Sequence, residues 1–423
     1  MAVLSFLHQV KRASPGGFAL FRIGLGLWLA WHFAALAPWA PEVFSAAGTL
    51  PVPTLNPTHG LLPNPLAWFG APWVSVAWCL LGAGLALLLA VGWRRVPVAL
   101  ALWFVWAALF NRNVLTSNPS IPYVGLVLLL VALVPDGEPW RWRGRAVAPR
   151  DWALPAGVFF TAWALTALGY TFSGLVKLQS PSWLDGTAFT HLLHNPLARP
   201  GWFRDVALGF PTWIHAGLTW SALAAEIAFL PLCLMRRGRA WAWSAMLGMH
   251  LGILLVVDFA DLTLGMLALH AFTFDSEWLP ARARPGRRPV LFYDGECGLC
   301  NAVVRFLLRE DAGAVLAFAP LQSPLGQRTL QRLGLPTRDF DSILFLRDLD
   351  ADRGWLRTRG VVGVLDTLGG VWRLLAWALW LVPAPLRDLG YKLVARLRYA
   401  LFGPYVPAPL PEPRWAERIL SDG

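Results

Sequence analysis

Long apolar runs separated by short polar or proline-rich breaks occupy residues 17–274, and after them the pattern changes. The runs fall at 17–36, 73–91, 98–110, 121–134, 152–178, 213–235, 240–257 and 262–274. A full helical crossing of a bilayer takes about 20 apolar residues. Several runs are shorter, so the pattern predicts six to eight spans. Beyond them, VLFY at 290–293 suits a short buried strand, and Val303, Val304, Leu307 and Leu308 recur at helical spacing. The expected fold class is an all-α polytopic membrane bundle followed by a small α/β domain. The boundaries read as 1–278 for the bundle, 279–289 for a basic linker, 290–403 for the α/β domain and 404–423 for a proline-rich tail. One further apolar run, 372–380, is too short to span and reads as an amphipathic helix resting on the bilayer.

Composition sharpens this picture. The chain is 56% hydrophobic and 14% charged, with 25 tryptophans, which excludes a soluble protein of ordinary composition. A net charge of +11 would suit nucleic acid, but no nucleic-acid motif accompanies it and the basic residues lie in short connections between apolar runs. That placement sets membrane orientation. With eight spans and an inner N-terminus, Lys11, Arg12, Arg94, Arg95, the arginines of 141–150 and those of 236–239 fall inside. The outer connections hold only Arg112, Lys177, Arg199 and Arg204. The expectation is a multi-pass protein of a bacterial-type inner (plasma) membrane, with both termini and the α/β domain in the cytoplasm. Its N-terminal stretch lacks the apolar core and small-residue site of a signal peptide.

Candidate chemistry centres on Asp294-Gly295-Glu296-Cys297-Gly298-Leu299-Cys300. The strand before it and the apolar helix after it place Cys297 at a helix N-terminus, where free backbone N–H groups and the dipole favour a thiolate. Cys300, three residues on, is close enough to close a disulfide within one turn. A structural zinc site needs two more ligands. No cysteine follows Cys300 and the last histidine is His270, so no metal is expected. Besides thiol–disulfide chemistry, two readings stay open: ordinary buried thiols, and a redox fold kept only for binding. In a reducing cytosol such a pair rests as a dithiol and acts transiently on protein or small-molecule thiols and disulfides.

The motif YDGECGLC resembles the signature of the DCC family of thiol–disulfide oxidoreductases, named for Asp-x-x-Cys-x-x-Cys. The likeness continues through FAPLQS at 318–323, SILFL at 342–346, YKLVARLRY at 391–399 and LFG at 401–403. It implies a thioredoxin-like domain with Asp294, Cys297 and Cys300 as motif residues. On this reading Cys297 attacks, Cys300 resolves and Asp294 accepts a proton. Unlike thioredoxins generally, the chain has no proline immediately before the strand at Ile343.

In the membrane half, ionisable side chains within apolar runs are costly and mark candidate sites. Lys177 ends the fifth run and either serves as a general base or snorkels to the headgroups. Glu226, mid-way along the sixth run, is expected to face the bundle and pair with Arg22 or a polar neighbour. His191 and His194 suit an interfacial helix, while Cys79 and Cys233 read as packing residues. The stretch 170–186 is similar to the membrane part of vitamin K-dependent γ-carboxylases and of the bacterial HTTM (horizontally transferred transmembrane) domain. Phe21-Arg22-Ile23-Gly24 and His250 with Asp258, Asp261 and Gly265 extend the likeness. It implies Lys177 as a base acting on a quinol or lipid, with a quinone as cofactor. A membrane scaffold without catalysis is the remaining alternative.

Overall fold

The computed structural model describes residues 14–142, 152–235, 237–258, 260–279, 288–338, 340, 342–407, 410 and 412–421. Lys11, Arg12, most of the basic loop (143–151), Arg236 and most of the linker lie outside the described residues, as does the side chain of Asp261.

Eight principal helices make the N-terminal part: α1 (Pro15–Leu36), α2 (Pro72–Ala90), α3 (Arg95–Arg112), α4 (Ser120–Leu133), α5 (Ala156–Lys177), α6 (Thr212–Cys233), α7 (Gly238–Val256) and α8 (Ala260–Thr273). Each overlies one apolar run. Among the described residues, five helices are long and apolar enough to cross a membrane: the first, continued to Phe44, and α2, α5, α6 and α7. The apolar runs predict six to eight spans. Here α4 and α8 have only 14 residues each, and α3 carries an arginine at each end.

Local sequence explains the helix ends. Ser14 caps α1, its hydroxyl accepting from Gly17 N–H at 2.9 Å, with Pro15 at the first helical position. Buried arginines tie other ends together. Arg22 donates to the Leu89 carbonyl at 2.8 Å and lies 3.3 Å from Glu138, which is also 3.3 Å from Arg95. These side chains are fully buried, so the carboxylate offsets two charges that would otherwise be costly there. Arg22 therefore pairs with Glu138 and not with Glu226.

The C-terminal part holds a four-stranded sheet. Its strands are β1 (Val290–Tyr293), β2 (Ala317–Pro320), β3 (Leu344–Leu346) and β4 (Trp355–Leu356), in the order β2-β1-β3-β4. β1 pairs with β2 in parallel and with β3 antiparallel; β3 and β4 are antiparallel. A parallel pair needs a crossover, supplied by α9 (Gly298–Glu310). Every residue of β1 is buried, because both faces of the sheet are covered. Leu291, Tyr293, Phe318 and Phe345 pack under α9, α11 (Arg357–Leu368) and α12 (Gly370–Leu381). Val290, Phe292, Ala319 and Leu344 pack on the other face with Leu330 of α10 (Pro324–Arg332). Helix α13 (Ala384–Phe402) follows. The tail packs back on the sheet: Phe318 N–H donates to the Arg418 carbonyl at 2.8 Å, and Leu420 N–H to the Phe318 carbonyl at 2.7 Å.

The two parts meet at the start of α1. Glu310, the last residue of α9, accepts from Gly16 N–H at 2.9 Å and from the Trp372 indole at 3.1 Å. A Cβ on Gly16 would lie 2.6 Å from the Trp372 ring, so this close approach requires glycine.

Candidate functional site

Strand β1 delivers Asp294 into a turn that leads to Cys297, the N-cap of α9. The Cys297 sulfur accepts from Cys300 N–H at 3.3 Å, within reach for a sulfur acceptor, so the thiol occupies the place usually taken by a serine or aspartate oxygen. Asn301 stitches the turn, its amide donating to the carbonyls of Gly295 at 2.8 Å and Cys297 at 3.0 Å. Both cysteines are free thiols.

Their accessibilities differ. Cys297 is 0% exposed and Cys300 is half-buried. The cover over Cys297 is backbone. Gly298 N–H donates to the Gly403 carbonyl at 3.1 Å, Tyr405 N–H donates to the Glu296 carbonyl at 2.7 Å, and Cys297 and Pro404 form an antiparallel bridge. A Cβ at Gly298 would sit 2.6 Å from the Phe402 carbonyl oxygen, so only glycine admits the strap here. Burial first, and then the hydrogen bond with Cys297, push the Cys300 thiol up to about 12. Burial also pulls the Arg398 guanidinium down, but the nearby Cys300, Asp294 and Cys297 outweigh it and hold Arg398 above its ordinary value.

Asp294 is saturated with donors. Its Oδ1 accepts from Glu296 N–H at 3.1 Å and from the Gln322 amide at 2.8 Å. Oδ2 accepts from Arg398 at 3.0 Å and from the Tyr399 hydroxyl at 2.6 Å. Four donors on two oxygens make Asp294 an anchor for three segments. Gln322 also accepts from Gly295 N–H at 2.9 Å. Just before β3, Ile343 donates its N–H to the Tyr391 hydroxyl at 3.0 Å.

Sequence reasoning gave no roles to Gln322, Tyr391, Arg398 and Tyr399. A signal was present: they lie in the stretches 318–323 and 391–399 that carry the DCC resemblance. These stretches converge on the cysteine turn.

Lys177 lies elsewhere. Its ammonium contacts both oxygens of Glu226, at 2.5 and 2.6 Å, and sits 4.5 Å from the centroid of the Trp183 ring. The Tyr170 hydroxyl lies 2.8 Å from His250 Nε2, and the rings of His250 and His270 are 5.6 Å apart. His191 and His194 are exposed on a short helix, and Cys79 and Cys233 are buried free thiols. Among the described residues, no group of three or more His, Cys, Asp or Glu side chains is arranged to hold a metal ion.

Residues 291–404 match the family model described as DCC1-like thiol-disulfide oxidoreductase. The chain is 37% identical over 145 residues to the uncharacterized protein YuxK of Bacillus subtilis (strain 168), covering 34% of this chain and 98% of that protein. It is 32% identical over 117 residues to a chloroplastic DCC family protein of Arabidopsis thaliana, covering 28% of this chain and 66% of that protein. No solved structure matches the chain significantly.

Proposed function

The chain belongs, through its C-terminal part, to the DCC1-like thiol-disulfide oxidoreductase family, and from that premise we propose that it is a membrane-held thiol–disulfide oxidoreductase whose working pair is Cys297 and Cys300. The observation that carries this reading is the Cys297 sulfur at the N-cap of α9, hydrogen-bonded to Cys300 N–H. Backbone N–H donation and the helix dipole both stabilise negative charge at that sulfur. The sheet order and the helix that opens on a cysteine support a thioredoxin-like assignment.

In the proposed cycle the Cys297 thiolate attacks one sulfur of a substrate disulfide. The substrate S–S bond breaks and its second sulfur leaves as a thiolate. Cys300 then gives up its proton to that leaving group and attacks the Cys297 sulfur, releasing the substrate as a dithiol. Two electrons pass to the substrate, one proton comes from Cys300 and the second is taken up from water by the sulfur that leaves last, and the enzyme is left with a Cys297–Cys300 disulfide. Attack requires the strap at 403–405 to lift from Cys297.

Replacing Cys300 with serine in the full chain should trap mixed disulfides through Cys297, seen as reducible adducts on non-reducing gels. Absence of such adducts, with Cys297 shown by denatured alkylation to be a free thiol, would contradict the reading.

A second reading, for the membrane half, is an HTTM-like enzyme acting on a quinol or lipid through Lys177. It is favoured by the polar cluster of Lys177, Glu226, Tyr170, His250 and His270 between apolar helices, separate from the buried pairs that Glu138 makes with Arg22 and Arg95. A double variant, Lys177→Met with Glu226→Gln, removes the pair without leaving a buried charge. Unchanged cellular function in that variant would end this reading.

A further inference from the structure

Helix α13 is inside-out. On the surface of a soluble domain the apolar stripe of a helix faces the core and its charges face water. In α13 the only buried side chain is Arg398. The residues turned toward the domain are polar or small: Asp388 accepts from the Thr358 hydroxyl, Tyr391 from Ile343 N–H, and Ala395 lies between them and Arg398. Leu386, Leu389, Leu393, Leu397 and Leu401 follow one another at helical spacing on the opposite side. They are exposed by 63, 68, 59, 42 and 70%.

Charge complements this stripe. Lys392 and Arg396, both exposed, flank it, while Arg387 donates to the Leu379 carbonyl at the end of α12 at 3.2 Å, and the helix has one acidic residue, Asp388, which is turned inward. Long basic side chains beside an apolar stripe are suited to reach anionic headgroups while their stems follow the leucines. The stripe is continuous with the turn from α12, where Trp380, Leu381 and Val382 are also exposed. Helix α12 in turn starts at the junction with α1: Gly370 N–H donates to the Leu279 carbonyl at 2.5 Å, and Trp372 packs against Gly16. The exposed apolar surface thus begins at the far end of α12, whose first residues pack at the start of α1, a helix long and apolar enough to span.

We propose that the leucine face of α13, with the α12–α13 turn, lies in the headgroup region of the bilayer that holds the same chain, with anionic lipid as its preferred partner. The other side of α13 carries Arg398 and Tyr399, which hold Asp294. One helix, about 10 Å thick, then separates the lipid surface from the cysteine turn. The membrane contact does not depend on thiol chemistry, and its test reads depth alone.

The full chain is placed one copy per nanodisc of phosphatidylcholine and phosphatidylglycerol. Cys297 and Cys300 are replaced by serine; the buried Cys79 and Cys233 are kept. A spin label is attached at Leu393→Cys, at Leu397→Cys, or at the control Gln331→Cys, which is exposed on α10. Collision rates are read with oxygen and with a water-soluble nickel chelate. The expected result is that the labels at 393 and 397 collide preferentially with oxygen and the label at 331 with nickel. Reversing Lys392 and Arg396 to glutamate should raise nickel access at 393 several-fold. Nickel access at 393 and 397 equal to that at 331 would overturn the proposal. Protection only in discs holding two chains would overturn it too, in favour of contact between copies.

Discussion

Arg398 Nη2 lies 3.0 Å from Asp294 Oδ2, and this buried pair joins residues far apart in the chain. It fixes the end of β1, and hence the cysteine turn, against the last turn of α13. Removing one member of a buried pair leaves an uncompensated charge, at a cost of about 3–5 kcal/mol. Asp294→Ala should therefore destabilise the C-terminal domain strongly and free the strap, whereas Arg398→Met combined with Asp294→Asn should cost less than either single change. Thermal denaturation of the solubilised full chain, followed through cysteine protection, checks the order.

The strap at 403–405 governs access to Cys297. The Tyr405 hydroxyl accepts from Arg305 at 3.1 Å, so Tyr405→Ala loosens the strap without touching the cysteines. A loss of about 1.4 kcal/mol in local closure corresponds to roughly tenfold faster alkylation of Cys297 in the Cys300→Ser background. An unchanged rate would place the barrier elsewhere.

Cys300 in the Cys297→Ser variant loses the raising effect of Cys297 but keeps the larger one, burial, and should still alkylate slowly at neutral pH and faster in alkali. The sign for stability follows. A pKa raised in the folded state contributes stability fully present below the unfolded value, near 9, and lost as pH rises toward 12. Tyr293 and Tyr399, both pushed up to about 12, act in the same direction. Denaturation profiles should show the domain weakening from about pH 9 upward.

Glu310, buried at the junction with α1, has its carboxyl raised above the ordinary value by burial. Its contribution is fully present below the unfolded value and is lost as pH rises through the folded one. Glu310→Gln keeps an acceptor for Gly16 N–H without the charge. It should flatten the pH dependence of thermal stability above about pH 5, leaving the acid limb unchanged. Melting curves of the two proteins across pH 4–8 test this.

Much of this architecture is legible in the sequence, because hydropathy acts locally. VLFY is a buried strand, each long apolar run is a helix, and a cysteine after a tight turn caps the helix it opens. The partners of Asp294 are not legible from periodicity, since Gln322 is 28 positions away and Arg398 is 104. Glu138 as the partner of Arg22, and Pro404 over Cys297, depend likewise on tertiary closure. The leucines of α13 would read by their spacing as a core-facing stripe, yet they are exposed. Periodicity identifies an apolar face but not what covers it.

The central claim is that Cys297 and Cys300 form one redox couple, and the most direct test is a redox titration of the full chain in nanodiscs. Samples equilibrated in graded thiol–disulfide buffers are quenched with acid, alkylated and analysed by mass spectrometry. The account predicts reversible loss of two alkylation sites together, at a single midpoint, with a Cys297–Cys300 disulfide in the digest. That transition should be abolished in both Cys297→Ser and Cys300→Ser. Two thiols that stay reduced, or that oxidise independently of each other, would contradict it.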